Sequence, residues 1–373
     1  MTGPGGILIV GGGIAGLTLA TALHRRGLDA LVIERNTHWD PIGGGIAVQP
    51  NAMRVLQQLG IAADVKQAGA VIRRWLFRDQ IGRVLCDIAL EPLWGEVGPF
   101  IGIERTKLHD ELKSGARSCR LGTEQTSLTQ HDHKALVTFS DGTVGEYDLV
   151  VGADGIHSSV RQFTCATAAP VYGDQMVWRS VAPISPPESD AVQFWLGDGT
   201  FFGLCPVGGG RTYGFANVTG PRFHDAVGGR LKRLRARFAA YGELIQDYIA
   251  ALEHDEQIHC GPIEWLEADS WYRGRVVLIG DAAHASPPMM GQGGSMAMED
   301  ALVLAELLRA TADVEGALAT FAERRRTRVD WVQQQSRAVG EMLRMPPQAR
   351  DAALRERGEK AFYQRFRPLA IEP

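Results

Sequence analysis

The sequence predicts an α/β protein in which a doubly wound parallel sheet is interrupted by an antiparallel β-rich insert and followed by C-terminal helices. Three observations carry this. A strand–glycine turn–helix–strand unit opens the chain, buried-strand patterns ending in an acid recur near residues 150 and 280, and residues 171–220 alternate like antiparallel sheet. With 373 residues the chain exceeds what one hydrophobic core organises well, so more than one domain is expected.

In chain order, Ile7-Leu8-Ile9-Val10 is a short apolar run suited to a strand buried on both faces. Gly11-Gly12-Gly13-Ile14-Ala15-Gly16 follows, then Leu17–Leu23 at helical spacing, closed near Gly27, and the strand Ala30-Leu31-Val32-Ile33-Glu34. Asn51–Leu59 reads as a short helix stopped by Gly60. Residues 70–100 turn to alternating, Trp- and Gly-punctuated strands, and 106–112 return to helix. Asp141-Gly142 marks a hairpin before the buried strand Leu149-Val150-Val151.

The insert is read from 177–181, 192–196, 201–204 and 213–215, with turns at Gly197-Asp198-Gly199 and Gly208-Gly209-Gly210. Arg230 to about Ala251 reads as one helix, 275–279 as a third buried strand, and 297–308 and 314 to about 343 as helices. Beyond Met345-Pro346-Pro347 the chain is charged and helical, a cap on the inserted sheet or a subunit contact.

Composition narrows the function. The net charge of −4 provides no cationic field for nucleic acid. The dense run Arg324-Arg325-Arg326-Thr327-Arg328 is expected to be the solvated face of a helix. Cys86, Cys119, Cys165, Cys205 and Cys260 are odd in number and never spaced as CxxC. That spacing argues against a disulfide scaffold, a zinc site and a dithiol centre, and fits reduced thiols in a cytoplasm. No apolar run reaches membrane-spanning length and the N-terminus lacks a signal-peptide pattern.

Gly11, Gly13 and Gly16 fit GxGxxG: a tight turn, a close approach of backbone to a pyrophosphate, and close helix–strand packing. The helix start offers unpaired N–H groups to phosphate, and Glu34 stands where a carboxylate can accept from ribose hydroxyls. This motif does not separate NAD from FAD; two later segments do. Gly152-Ala153-Asp154-Gly155 and Gly280-Asp281-Ala282-Ala283-His284 each put an acid where a parallel strand ends, able to accept from sugar or ribityl hydroxyls. After Asp281, Pro287–Ala297 is a glycine loop opening a long helix, whose bare N–H groups suit the anionic N1–C2=O2 edge of a reduced flavin.

These segments, with Gly45–Ala52 and Glu104–Leu108, resemble the class A FAD-dependent aromatic monooxygenases, the para-hydroxybenzoate hydroxylase family, over residues 7 to about 335. In texture the chain is most similar to the quinolone, salicylate and urate hydroxylases. The resemblance implies an FAD-binding, Rossmann-like (glutathione-reductase-type) domain from 1–70, 101–170 and 262–335. It also implies a β-rich substrate domain from 71–100 and 171–261, with a helical tail over 336–373.

It further implies resident FAD, with NADH or NADPH as a transient co-substrate. O2 would add at flavin C4a, and the hydroperoxide's terminal oxygen would pass to a small aromatic or heteroaromatic molecule. Carried over by position, Gly11, Gly13, Ile14, Ala15 and Gly16 hold phosphates, and Glu34 and Arg35 meet the adenosine. Ala47 and Val48 lie near the isoalloxazine, Arg105 at the cofactor's middle, Asp154 near the pyrophosphates and Asp281 at the ribityl chain. Gly293 and Gly294 meet the flavin O2 side, and Pro288 and Gly291 of the same loop also contact the cofactor.

Candidate walls for the substrate are Trp178, Phe201, Tyr213, Phe215, Pro288, Met289 and Met290. Tyr213 is a candidate to accept from, or polarise, a substrate hydroxyl. His284 is either a proton-transfer group or a structural histidine beside the Asp281 turn; Arg179 anchors a carboxylate or pairs with an acid. Phe201 stands where urate-hydroxylating relatives carry an Arg, which counts against an anionic purine. No metal ligands are expected, and a monomer or homodimer is. Competing readings are a flavin reductase, dehydrogenase or halogenase, although the WxWxIP halogenase signature is missing, and a non-catalytic flavoprotein that sequesters an aromatic metabolite.

Overall fold

The computed structural model describes residues 6–39, 44–131, 133–164 and 168–373. Cys165 falls outside them; the other four cysteines are free.

The first sheet has six strands in the order Tyr272–Arg273, Val276–Leu278, Leu149–Gly152, Ile7–Val10, Ala30–Glu34, Cys119–Leu121. All neighbours are parallel except the short pair at the 272 edge. Ile7–Val10 and Leu149–Gly152 are buried along their whole length. Such strands need helices on both faces, which is why their sequences are continuous apolar runs. The helix Ile14–Arg25 buries ten of its twelve residues, from Ile14 to Leu23. Its two buried threonines are satisfied locally, Thr18 donating to Ile14 O and Thr21 to Leu17 O.

A seven-stranded sheet runs His259–Trp265, Val171–Ala182, Thr212–Thr219, Thr200–Pro206, Ala191–Leu196, Arg74–Asp79, Val84–Ala89. It is antiparallel except where Ala191–Leu196 meets Arg74–Asp79 in parallel, because those two strands come from separate excursions of the chain. One face packs on the helices Arg230–Arg237 and Glu243–Ala250, around Trp178, Phe202, Phe238 and Tyr248. The single helix expected over 230–251 is therefore two. Gly242 donates to Gln80 O at 3.0 Å, and a Cβ there would sit 2.7 Å from Ile81 O, so tertiary contact breaks the helix.

A small sheet of Gly45–Val48, Phe100–Glu104 and Ala70–Ile72 links the two large ones. A Cβ on Gly102 would lie 2.1 Å from Pro206 O, so only glycine lets this link lie against the seven-stranded sheet. The chain ends in two long helices, Val314–Leu343 and Pro347–Ala370. The last one lies on the edge of the seven-stranded sheet: Phe362 stacks near Trp75 at 5.4 Å, and buried Arg350 donates to Leu196 O and Gly197 O.

The arginine run is not a solvated face. Helical spacing sends Arg325 and Arg328 inward together, where they meet Glu299 and Asp300 of the helix Gly293–Ala310. Arg325 is fully buried.

Candidate active site

At the first turn, Gly11 has φ +110° and donates to Ile33 O at 2.8 Å. A Cβ on Gly11 would fall 2.4 Å from Ala153 O, and one on Gly16 would fall 2.0 Å from Gly11 O. No side chain survives at either place without moving backbone. Gly13 has nothing within 4 Å of its missing Cβ, so that side of the turn is open. No side chain caps the helix that starts at Ile14, leaving its first N–H groups, at Ile14, Ala15 and Gly16, for an anion.

Glu34 ends its strand half-buried and accepts from Gly12 N at 3.0 Å and Asn36 N at 2.9 Å. Arg35 beside it is exposed. Two residues that sequence reasoning missed complete this corner. Trp39 covers Gly12, and His109 lies 5.2 Å from Trp39, with its Nε2 2.8 Å from Gly12 O. Burial lowers the His109 pKa, which leaves a neutral ring donating to that carbonyl.

The two later acids behave differently. Asp154 gives one oxygen to its own turn: its Oδ2 accepts from Ser159 N at 2.7 Å, Ser159 Oγ at 3.0 Å and Val160 N at 3.3 Å, while its Oδ1 is buried with no hydrogen-bond partner among the described residues. It does not line the central cavity, whereas its neighbours Ala153 and Gly155 do. This corrects the expectation of a cofactor-facing carboxylate there. Asp281 opens its helix with its side chain exposed to the cavity, with no hydrogen-bond partner among the described residues. Arg161 ties the two segments together, donating to Ile156 O, Ala168 O and Ala282 O.

The glycine loop is held from beneath by a buried polar chain. Gln49 Nε2 donates to Met290 O at 2.6 Å and its Oε1 accepts from Gln292. Asn51 donates to Gln292 and to Glu299; Glu299 is gripped by Arg325 and by two of the three Arg328 nitrogens. Arg328 reaches on to Pro368 O and Leu369 O, so the chain runs from loop to tail. Asp300 accepts from Gly280 N and Arg325 and lies 2.6 Å from His284 Nε2. Burial alone would raise the Asp300 pKa, but the His284 and Arg325 charges outweigh it and hold the carboxyl low.

His284 is thereby the structural histidine, packed on Trp271 at 5.0 Å and away from the cavity. Above this base, the helix from Gly293 also starts without a side-chain cap.

One cavity of about 510 Å³ joins the two large sheets. Ile14, Ala47, Arg105, Asp281, Gly293 and Gly294 line it, with Tyr213, Phe201 and Phe215 from the seven-stranded sheet and Pro288 and Met289 from the glycine loop. Gly13, Ala15 and Gly291 also open onto it. Val48 is buried beside Ala47 and does not reach it, and Met290 is buried below. Trp178 is not a wall. Strand alternation turns Val177 and Arg179 to the cavity and sends Trp178 to the helical face, where its Nε1 donates to Asp225 at 3.0 Å.

Tyr213 is half-buried under Gly45, whose Cβ would fall 2.4 Å from its ring. Burial raises its pKa against the pull of Arg179, so it is a neutral phenol at ordinary pH. Sequence reasoning also missed Trp75, Phe77 and Phe194, which line the cavity from strands whose pairing no local pattern reveals.

The glycine turn, the partner-free Asp281, the uncapped helix at Gly293 and the adjoining aromatic wall fit a flavin dinucleotide with a ring substrate beside it. Residues 6–336 match the family model of the FAD binding domain. The chain is 35% identical over 323 residues to the aurachin C monooxygenase/isomerase of Stigmatella aurantiaca, covering 84% of this chain and 83% of that one. It is 33% identical over 352 residues to the 3-amino-4-hydroxybenzoate 2-monooxygenase of Streptomyces cremeus, covering 91% and 88%. Klebsiella pneumoniae HpxO, solved with FAD and uric acid, superposes with a TM-score of 0.87 at 28% identity, over 97% of this chain and 92% of that one. The chain belongs to the FAD-binding-domain family, as one of its FAD-dependent aromatic monooxygenases.

Proposed function

We propose that the cavity hydroxylates a small aromatic or heteroaromatic molecule held between the seven-stranded sheet and the 288–294 loop. The single observation that carries this is the continuity of the cavity: cofactor-type glycines and Asp281 open into the same space as Tyr213 and Phe215. When bound, FAD supplies the redox chemistry, accepting reducing equivalents from NAD(P)H and delivering one oxygen atom of O2 to the substrate.

The chain's own residues do the rest. The N–H groups behind Gly13 and Asp281 hold the pyrophosphate and ribityl hydroxyls; Glu34 and Arg35 take the adenosine. Ala47 would border the ring system and Arg105 the cofactor's middle, and the N–H groups at Gly293 and Gly294 would stabilise negative charge on the flavin's O2 side. Tyr213, kept neutral by burial, holds a substrate hydroxyl or carbonyl oxygen and orients the ring. Phe201, Phe215 and Met289 exclude water, which protects a reactive oxygen donor from wasteful breakdown.

In this reading residues 1–70, 101–170 and 262–335 form the cofactor domain, and 71–100 with 171–261 the substrate domain. The 336–373 tail braces both. The protein works in the cytoplasm as a monomer or homodimer. No helix among the described residues is long and apolar enough to cross a membrane.

The test is a purified holoprotein with the flavin spectrum, screened for NAD(P)H oxidation with phenols, quinolones and hydroxypyridines, and for label from isotopic O2 in the product. Acceleration with label in the ring is the expected result. Failure of every ring compound to accelerate NADH or NADPH oxidation would overturn the reading.

A further inference from the structure

The cavity-facing side of the seven-stranded sheet changes character across its width. From the two strands Val171–Ala182 and Thr212–Thr219 it receives Val177, Arg179, Tyr213 and Phe215. The three strands beyond, Thr200–Pro206, Ala191–Leu196 and Arg74–Asp79, contribute Phe201, Cys205, Val192, Phe194, Trp75 and Phe77. None of these six carries a charge. Burial pushes the Cys205 thiol up to about 12, so it too behaves as an apolar group.

The registers make this a continuous floor. Arg179 pairs with Phe215, Phe215 with Gly203, Gly203 with Phe194 and Phe194 with Phe77, in one row across five strands. A Cβ on Gly203 would fall 2.1 Å from the Phe215 ring, so the glycine lets that ring lie across its neighbour. The rings then follow one another: Phe215 to Phe194 at 5.5 Å and Phe194 to Phe77 at 5.4 Å. Val339 and Leu343 of the helix Val314–Leu343 also line the cavity, and both belong to an apolar cluster with Phe201 that Phe77 and Phe194 pack against.

Three strand spacings separate the Tyr213 strand from the Phe77 strand, roughly 14 Å at about 4.8 Å each. A lone aromatic ring held by Tyr213 spans less than that distance. The cavity's other charged groups lie elsewhere: Arg105 and Asp281 on the cofactor side, and Glu264 engaged by Arg222 and His157.

We propose that the substrate is an amphiphilic aromatic. Its oxygen-bearing ring sits against Tyr213 and Arg179, and a hydrocarbon substituent extends from the ring along Phe201, Phe194 and Phe77 beneath Leu343. This rests on the reading that the ring oxidised here is the one Tyr213 holds.

The test is equilibrium binding to oxidised holoprotein, by calorimetry and by perturbation of the flavin spectrum. The probes are the 4-alkylphenols from methyl to octyl, with 4-hydroxybenzoate as the short anionic comparison. The expected result is one saturable site whose Kd falls with chain length, by up to roughly fourfold per buried methylene, and 4-hydroxybenzoate as the weakest ligand. Leu343→Asn and, separately, Phe77→Asn flatten that dependence, weakening octylphenol far more than the methyl compound. A Kd indifferent to chain length, tighter binding of 4-hydroxybenzoate than of octylphenol, or no saturable site in unmodified holoprotein overturns the proposal. The two readings fail separately. Steep chain-length dependence without accelerated NAD(P)H oxidation supports the ligand class and sinks the hydroxylase reading; acceleration by short rings with a flat dependence does the reverse.

Discussion

The two walls of the cavity are made by different means. The cofactor wall is mostly backbone: Gly11 and Gly16 tolerate no Cβ, two helices start uncapped, and one carboxylate, Asp281, stands free in the cavity. The sheet wall is side chain throughout, with aromatic rings 5–6 Å apart from Tyr213 to Phe77. Backbone donors suit a ligand that never changes, since N–H positions are set by main-chain geometry. Side chains on a fixed sheet can be exchanged without disturbing the fold, so that wall is where relatives with different substrates are free to diverge.

The largest expected effect tests the backbone wall. Gly16→Val forces a side chain against Gly11 O and is expected to yield no flavin-bearing protein, read as loss of the visible flavin band in any soluble product. Arg325→Met takes from Glu299 one of its two arginines and from Asp300 its guanidinium, leaving Arg328 on the first and His284 with Gly280 N on the second. The substitution is expected to cost about 3 kcal/mol in denaturant unfolding. It also loosens the loop above Gln292.

On the sheet wall, Tyr213→Phe should keep full flavin content and the same unfolding midpoint, yet lower kcat about a hundredfold. Retention of kcat would remove Tyr213 from the reaction. The Asp300 carboxyl titrates below its ordinary 3.8 in the folded state, so its stabilisation is present above 3.8 and lost as pH falls through the lower value. Unfolding free energy measured downward from pH 5 should show an acid limb, to which Asp79 and Asp225 also contribute, and Asp300→Asn should make it shallower. The smallest effect is expected from Trp178→Phe. It gives up one hydrogen bond to Asp225, about 1 kcal/mol, with Kd for aromatic ligands unchanged, because Trp178 faces the helices.

The same contrast explains what could be read in advance. The GxGxxG turn, the Asp281 turn and the 291–294 loop were legible because each is a local constraint, a few consecutive residues meeting one backbone requirement. Asp154 shows the limit of that reading: the acid sits at the expected strand end, but three donors of its own turn take its Oδ2 and the side chain does not line the cavity. Trp178 and Arg179 alternate correctly along a strand, yet which face was the cavity depended on where the helices 230–237 and 243–250 docked.

By itself, then, the sequence determined the nucleotide-binding turn and the presence of an inserted sheet, since these follow from short-range sterics and periodicity, and it pointed to FAD through its resemblance to a family. The tertiary structure decided the rest. It joined Phe77 to Phe194 across 117 residues of chain through a parallel pairing. It turned an arginine run inward onto Glu299, and it laid the C-terminal helix along the sheet edge. Those choices rest on burial and charge matching between distant segments, which no local window of residues contains.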